Sequence, residues 1–342
     1  MSKMTFSIGV AVIALLVGLD SLVYAQTIIT FDAFGSVNTL PSSINPAGQI
    51  TGSYSDTKLS GVAHGFLRET DGTIISFDAT GSATTTAGVS INPRGQITGL
   101  YTANSVAHGF LRETDGTITT FDPADSTGTG PESINPRGQI TGLYFTNSVY
   151  HGFLRETDGT IITFDPSGSL STQPVSINPR GQITGQYFDT NNVPHGFLRD
   201  TDGTITTFDP TGSTFTFPSS INPAGEIAGS YFDPTRSETR GFLRKKDGTI
   251  TTFDATASTF LTAPTSINPA GQITGDYVDP ASCRFDICQT HGFLREIDGT
   301  IIFFDPTDSL DTSPLSINPG GQITGVYLNF DFSRRGFLRS PE

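Results

Sequence analysis

The sequence predicts an all-β fold assembled from one repeated unit of four short strands. The segment Ser-Ile-Asn-Pro recurs along the chain at spacings of 43 to 47 residues, with one spacing of 50. The chain carries 38 Gly and 21 Pro, and the unit lacks the apolar spacing at i, i+3, i+4 and i+7 that a helix needs. Periods of this length are typical of arrays in which each unit packs against its neighbours. The repeated asparagines are Asn45, Asn92, Asn135, Asn178, Asn222, Asn268 and Asn318.

Four strands and two tight turns are predicted within each unit. In one copy, Asn178, Pro179 and Gly181 have the chemistry of a β-turn, because asparagine favours its first position, proline presets φ and glycine accepts a left-handed exit. Asp202 and Gly203 form a second hairpin turn, flanked by β-branched and aromatic residues. The strands are expected around Ser-Ile-Asn, at Gln-Ile-Thr-Gly-x-Tyr, at Gly-Phe-Leu-Arg and at Thr-Ile-x-x-Phe-Asp.

The two ends of the mature chain complement each other. Thr27 to Asp32 has the sequence of a fourth strand without its first three, and Gly336 to Arg339 that of a third strand without its fourth. Pairing of these ends completes the last unit by main-chain hydrogen bonds and leaves no long free edge. We therefore predict a seven-bladed β-propeller of four-stranded antiparallel blades, closed by pairing of the N-terminal strand with the C-terminal blade.

Residues 1–25 have the pattern of a secretory signal peptide. Lys3 gives a basic start, Ile8 to Leu19 is apolar, and Val23 to Ala25 matches a cleavage site. The run is short for a membrane span, and an uncleaved anchor is the alternative. Cleavage near Ala25 leaves residues 26–342 as a single propeller domain, secreted to the periplasm or the extracellular space.

Charge and motifs exclude several functions. The net charge of −14 disfavours nucleic acid as a partner. The sequence has no phosphate-binding loop, no His-Glu-x-x-His and no EF-hand loop. It therefore predicts a monomer without a cofactor, a metal site or a membrane span, and a structural cation such as calcium stays open as an alternative.

Cys283 and Cys288 lie five positions apart in one insertion, and the chain has 2 Cys in all. Export favours a disulfide between them. Two free thiols or a two-cysteine metal site are the alternatives, weakened because no second Cys or His pair lies nearby at ligand spacing. The disulfide would hold Arg284, Phe285 and Asp286 outward in the longest loop.

The repeat resembles a known family. His195-Gly196-Phe197-Leu198-Arg199, the Asp-Gly-Thr-Ile segment and Ser-Ile-Asn-Pro-x-Gly-Gln-Ile-Thr-Gly are similar to the HAF-type bacterial extracellular repeat, which runs roughly His-Ala-Phe-Leu-Trp and then Ile-Asn-x-x-Gly-x-Val-x-Gly. The likeness covers nearly the whole mature chain and departs from the family pattern at Gly196 and Arg199. It implies export and a repeated β-fold, and it carries no catalytic residues.

Three polar positions recur in the units. The aspartates that end the fourth strands are expected to accept backbone N–H groups of the following connector, with a cation site on the axis as the alternative. The histidines are interpreted as hydrogen-bond partners because Arg240 and Arg335 replace two of them. The arginines are expected to form solvated ion pairs. The sets are Asp32, Asp78, Asp122, Asp165, Asp209, Asp254 and Asp305; His64, His108, His151, His195 and His291; and Arg68, Arg112, Arg155, Arg199, Arg244, Arg295 and Arg339.

Tyrosine ends every second strand, and two interpretations compete. Packing between blades is favoured because the position recurs in every unit, whereas a sugar-binding role on the face of the variable loops is the alternative. The residues assigned to binding there are Tyr144, Tyr187, Tyr231, Tyr277, Arg284, Phe285 and Asp286. No catalytic residue is assigned.

The function predicted from the sequence is a secreted, non-catalytic module. It is expected to recognise a glycan or an extracellular protein through the variable-loop face. The alternative is an extracellular propeller hydrolase or lyase that acts on polysaccharide.

Overall fold

The computed structural model describes residues 27–55, 62–81, 83–283 and 288–341. The signal segment 1–25 therefore lies outside the described residues. The described part is built of strands, with one 3₁₀ turn at Pro280–Ser282. No helix among these residues is long and apolar enough to cross a membrane.

The strands form four-stranded antiparallel blades, which confirms the all-β prediction. The first strands are β2 (Asn38–Ile44), β6 (Thr85–Ile91), β10 (Gly128–Ile134), β14 (Ser171–Ile177), β18 (Phe215–Ile221), β22 (Leu261–Ile267) and β26 (Ser309–Ile317). The second strands are β3 (Ile50–Ser55), β7 (Ile97–Ala103), β11 (Ile140–Thr146), β15 (Ile183–Phe188), β19 (Ile227–Asp233), β23 (Ile273–Val278) and β27 (Ile323–Asn329).

The third and fourth strands complete the blades. The third strands are β4 (His64–Arg68), β8 (Val106–Arg112), β12 (Val149–Arg155), β16 (Pro194–Arg199), β20 (Glu238–Arg244), β24 (Thr290–Arg295) and β28 (Arg334–Ser340). The fourth strands are β5 (Ile74–Phe77), β9 (Ile118–Phe121), β13 (Ile161–Phe164), β17 (Ile205–Phe208), β21 (Ile250–Phe253) and β25 (Ile301–Phe304), and β1 (Thr27–Phe31) occupies this position beside β28.

Pairing runs in order from the first strand to the fourth. In one blade, β14, β15, β16 and β17 pair successively and antiparallel. Each first strand also contacts the next one along the chain, and β26 contacts β2. Single parallel pairs also join neighbouring blades, at Asn38 with Arg334, Thr239 with Leu261 and Ala63 with Thr85. The first strands therefore lie side by side at the inner edge of the blades.

The first strand begins earlier than the sequence analysis expected. It was predicted around Ser-Ile-Asn, but it starts at Ser171 and ends at Ile177. Asn178 instead organises the turn, because its Oδ1 accepts the backbone N–H groups of Arg180 at 3.0 Å and Gln182 at 3.1 Å. Gly181 closes this turn with φ +94°, a conformation that favours glycine.

The turn asparagines also tie each blade to the next. Asn178 is 1% exposed, and its Nδ2 donates to Gln182 Oε1 at 2.8 Å and to the backbone carbonyl of Asn222 at 3.2 Å. Equivalent bonds to the next asparagine recur along the chain, and Asn318 Nδ2 donates to the carbonyl of Asn45 at 3.1 Å. One side chain thus satisfies its own turn and a carbonyl of the neighbouring blade.

The apolar core is divided among the seams between blades. In one seam, Phe121 of β9 packs against Ile134, Tyr144 and Phe153 of the next blade. The rings of Phe121 and Phe153 meet edge to face at 6.1 Å between centroids, an arrangement that aromatic pairs prefer. Each blade is therefore stabilised mainly by its two neighbours.

The repeated arginines belong to this core, which corrects the prediction of solvated ion pairs. Arg155 is 8% exposed, and its guanidinium carbon lies 5.0 Å from the centroid of the Phe121 ring. Burial lowers the pKa of Arg155. The reason is geometric, because the fourth strand of the preceding blade places a phenylalanine face under each guanidinium, where a cation is attracted to the ring. The same stacking holds for Arg68, Arg112, Arg199, Arg244, Arg295 and Arg339.

Candidate functional site

A tyrosine, a histidine and an aspartate come together at the same end of each of five blades. In one of them, His195 Nδ1 lies 2.7 Å from Asp209 Oδ2, and the His195 ring lies 5.4 Å from that of Tyr187. Donation from Nδ1–H to the carboxylate fixes the imidazole tautomer and leaves Nε2 as the basic nitrogen. The other four pairs are His64 with Asp78, His108 with Asp122, His151 with Asp165, and His291 with Asp305.

The carboxylates of these pairs also reach the next blade. Thr216 Oγ1 donates to Asp209 Oδ1 at 2.5 Å, and Thr129 does the same for Asp122. The connector N–H groups were expected to bind the carboxylates, but Ala79 and Ala255 donate theirs to threonine hydroxyls instead. That prediction is wrong at these positions, because a threonine at the start of the first strand lies closer to the connector than the carboxylate does.

Two blades carry arginine in place of the histidine. Arg335 lies 3.7 Å from Asp32 and donates to Asp331 at 3.0 Å, whereas Arg240 makes a larger set of contacts. Arg240 binds Asp254 through two hydrogen bonds, from Nε at 2.8 Å and from Nη2 at 3.0 Å. Its Nη1 donates to the Tyr231 hydroxyl at 3.1 Å and lies 3.5 Å from Asp233 Oδ2. Arg236 adds a second ion pair to Asp254 at 3.1 Å. This blade therefore places a fixed guanidinium beside a phenol and a carboxylate.

The blade of Arg240 borders a cavity of about 470 Å³, which we call the seam cavity. It lies between the connector that follows β17 on one side and β19, β20 and β21 on the other, and polar groups make most of its wall. The lining residues include Asp209, Thr211, Tyr231, Asp233, Arg240 and Ile250. Asp209, the partner of His195, thus faces Tyr231 and Arg240 across one space.

The tyrosines assigned to binding are mostly buried in the seams. Tyr144, Tyr231 and Tyr277 are buried, whereas Tyr187 is half-buried. Burial raises the pKa of Tyr277 to about 12. Tyr231 is the member of the set that lines the seam cavity, and a role for the others in binding stays a prediction.

The cysteine loop is described in part. A disulfide joins Cys283 and Cys288, which confirms the predicted bond and is consistent with an extracellular or periplasmic location. Arg284, Phe285 and Asp286, the other residues assigned to binding, lie outside the described residues. Within the described residues, no three His, Cys, Asp or Glu side chains cluster as a metal site would require.

Sequence reasoning missed several side chains that occur once in the repeat. Glu132 and Gln173 lie on the first strands β10 and β14, and Phe215 and Phe217 lie on β18. The signal was present in the sequence, because these positions vary from unit to unit while the residues around them recur. The place of Gln173 and Phe217, for example, holds Leu40, Ala87 and Ala263 in other units. Such variation marks a position that packing between the blades does not dictate.

Comparison with solved structures assigns the fold. A streptogramin B lyase is 15% identical, with 92% of this chain and 98% of that chain covered at a TM-score of 0.59. The chain has a β-propeller fold. A catalytically inactive virginiamycin B lyase from Staphylococcus aureus with quinupristin, in which alanine replaces a histidine, is 14% identical over 92% and 99% of the chains, at 0.60. The β-propeller domain of the trilobed protease from Pyrococcus furiosus is 11% identical over 88% and 95%, at 0.61.

These comparisons overturn the prediction of a non-catalytic recognition module. Two of the propellers that match along almost their whole length are lyases, so the findings favour the catalytic alternative. Identities this low show the fold alone, and activity and substrate are therefore proposed below. Comparison with family models and with curated proteins gave no match.

Proposed function

We propose that this chain is an exported enzyme that cleaves a polysaccharide by acid–base chemistry in the seam cavity. The observation that carries the proposal is that Asp209, the hydrogen-bond partner of His195, lines the seam cavity together with Tyr231 and Arg240. The His291–Asp305 pair also precedes a blade with an arginine, but that arginine, Arg335, binds Asp331 and Ser333. The hydrogen bond from arginine to tyrosine distinguishes the Arg240 blade within the described part of the chain. Strongly polar groups that converge on a cavity are the usual sign of an active site.

The proposed roles follow from the hydrogen bonds. Asp209 orients His195, whose Nε2 lies 3.7 Å from Asp189 Oδ2 and acts as the general base. Because Arg240 donates to the Tyr231 oxygen, the phenol hydrogen is directed elsewhere and can protonate the departing glycosidic oxygen. The base takes a proton from a carbon next to a carboxyl group in an elimination, or from water in a hydrolysis. A histidine requirement in the virginiamycin B lyase supports the choice of base.

Arg240→His tests the arginine with little risk to the fold, because histidine pairs with aspartate at this place in five other blades. We expect kcat/KM to fall about 100-fold or more, since the fixed charge beside the phenol is lost. The assay is a panel of neutral and uronate-containing polysaccharides, followed by reducing ends for hydrolysis and by ultraviolet absorbance of unsaturated products for elimination. A wild-type chain that cleaves nothing, or a variant of full activity, would contradict the proposal.

We further propose that seven blades close into a ring. The pairing of β1 with β28, from Thr27 opposite Ser340 to Phe31 opposite Gly336, supports this closure. The Asn318 bond to Asn45 supports it independently. An open topology is described for the Pyrococcus furiosus propeller domain, so closure requires its own test.

Removal of residues 26–33 is expected to lower the free energy of unfolding by several kcal/mol. The deletion exposes the edge of β28 and removes Ile28 and Phe31 from two seam clusters, on the scale of losing the apolar burial of a strand. Urea unfolding against a chain that starts at residue 26 measures the difference. Equal unfolding midpoints would show that the ends do not hold the ring together.

The remaining assignments complete the proposal. Export through the segment at residues 1–25, membership of the HAF-type repeat family, and a monomeric state are retained as parts of it. Tyr187 and Tyr231 would contribute to the substrate site, with Arg284, Phe285 and Asp286 in the loop closed by the disulfide. The net charge of −14 favours a substrate of low negative charge.

A further inference from the structure

Two half-exposed phenylalanines lie on one face of the first strand β18. Phe215 is 40% exposed and Phe217 36% exposed, with 6.5 Å between their ring centroids. Phe232 of β19 supports Phe215 from the neighbouring strand at 6.1 Å. Residues of other types hold the equivalent positions in other blades. In β6, for example, Thr85 holds the position of Phe215 and Ala87 that of Phe217. The pair forms an aromatic surface that packing between the blades does not require.

An amide lies at the same level on the preceding first strand. Gln173 precedes Pro174 as Phe217 precedes Pro218, and β14 contacts β18. The Gln173 oxygen accepts a hydrogen bond from Gln186 Nε2 at 2.7 Å. This bond fixes the amide plane, so the Gln173 nitrogen is the group available to donate to a bound molecule.

A carboxyl group lies one blade earlier still, on the first strand β10 that precedes β14. Glu132 occupies the position at which Thr265 of β22 donates to the carbonyl of Pro314 at 2.8 Å, so side chains here point toward the neighbouring first strand. Burial raises the pKa of Glu132 to about 7, which gives a carboxyl able to donate and to accept near neutrality. Gly130, two residues earlier, carries no side chain beside Glu132, and a Cβ built there would only touch Leu143 at 3.6 Å.

We propose that Glu132, Gln173, Phe215 and Phe217, the axial set, bind one neutral sugar residue of the polysaccharide substrate. A sugar ring presents an apolar C–H face and a rim of hydroxyls. The phenylalanines match the face, while the amide and the carboxyl match the hydroxyls. The set contains no cation, and the net charge is −14, so an anionic ligand fits poorly. This inference rests on the proposed function but concerns a different place in the fold.

Phe217→Ala tests the axial set with a residue that the repeat already uses at this place, in Ala87 and Ala263. The probes are cellohexaose, xylohexaose and chitohexaose, titrated calorimetrically into the chain carrying His195→Asn so that no probe is cleaved. We expect Phe217→Ala and Gln173→Ala each to weaken binding of the recognised probe about tenfold. The matched control is Ile162→Thr, on the exposed face of β13, where Thr119 and Thr206 hold the equivalent positions.

The outcomes separate this inference from the proposed function. Binding that depends on Phe217 but not on Ile162 supports the axial set, even if the wild-type chain cleaves no polysaccharide, and in that case only the catalytic proposal fails. Binding that Phe217→Ala and Gln173→Ala leave unchanged overturns the axial set, and so does a chain that binds none of the three probes. Cleavage with a KM that Phe217→Ala does not alter also overturns the axial set and leaves the catalytic proposal standing.

Discussion

Asn178→Asp is expected to lower the free energy of unfolding by about 3 kcal/mol or more. The substitution keeps the size of the side chain and the Oδ1 acceptor for Arg180 and Gln182. It removes the Nδ2 donor to Gln182 Oε1 and to the Asn222 carbonyl. A carboxylate would then face two acceptor oxygens at a site that is 1% exposed, where burial makes an unpaired charge costly.

Urea unfolding followed by circular dichroism measures this loss. Asn104→Asp is the matched control, because Asn104 lies exposed in the turn between β7 and β8, where such a change should stay within about 0.5 kcal/mol. If Asn178→Asp were as stable as the control, the asparagines would not join the blades, and their bonds would be incidental to the fold.

The local features of the repeat could be predicted from the sequence because they depend on neighbouring residues. Asn178, Pro179 and Gly181 specify one turn through their own conformational preferences, and Cys283 and Cys288 are close enough along the chain to pair. The start of the first strand was missed, because Ser171 and Thr172 pair with β15 without an alternating pattern that would reveal a strand.

Features that depend on the adjacent blade could not be derived from one unit. Arg199 has the composition of a surface residue, yet it stacks on Phe164 of the preceding blade at 5.0 Å. Gly196 departs from the alanine of the HAF-type pattern, and a Cβ there would lie 2.7 Å from the Phe208 ring. The preference for glycine becomes clear only once β16 and β17 are paired.

The candidate site was hidden for a related reason. Recurrence in the sequence identified the histidines, the aspartates and the tyrosines, but not the pairing of each histidine with an aspartate. The seam cavity instead depends on one substitution, Arg240 for histidine, and on which blade lies beside it. The substitution places a guanidinium that binds Tyr231 opposite Asp209 of the preceding blade. This contact between blades can be recognised only in the folded structure.

The second large effect is expected at the proposed base. His195→Asn keeps an N–H that can donate to Asp209 but removes the basic Nε2, so kcat should fall about 100-fold to 10,000-fold. His151→Asn is the matched control, since His151 Nδ1 also lies 2.7 Å from its partner, Asp165, and its ring lies 5.4 Å from that of Tyr144. The two variants should lose similar, small amounts of stability.

The rate of polysaccharide cleavage by these two variants, measured beside the wild-type chain, tests the catalytic proposal most directly. We expect His195→Asn to be nearly inactive and His151→Asn to retain almost full activity, with equal unfolding midpoints. Equal activity in the two variants would contradict it, because the His–Asp pairs would then be structural in every blade.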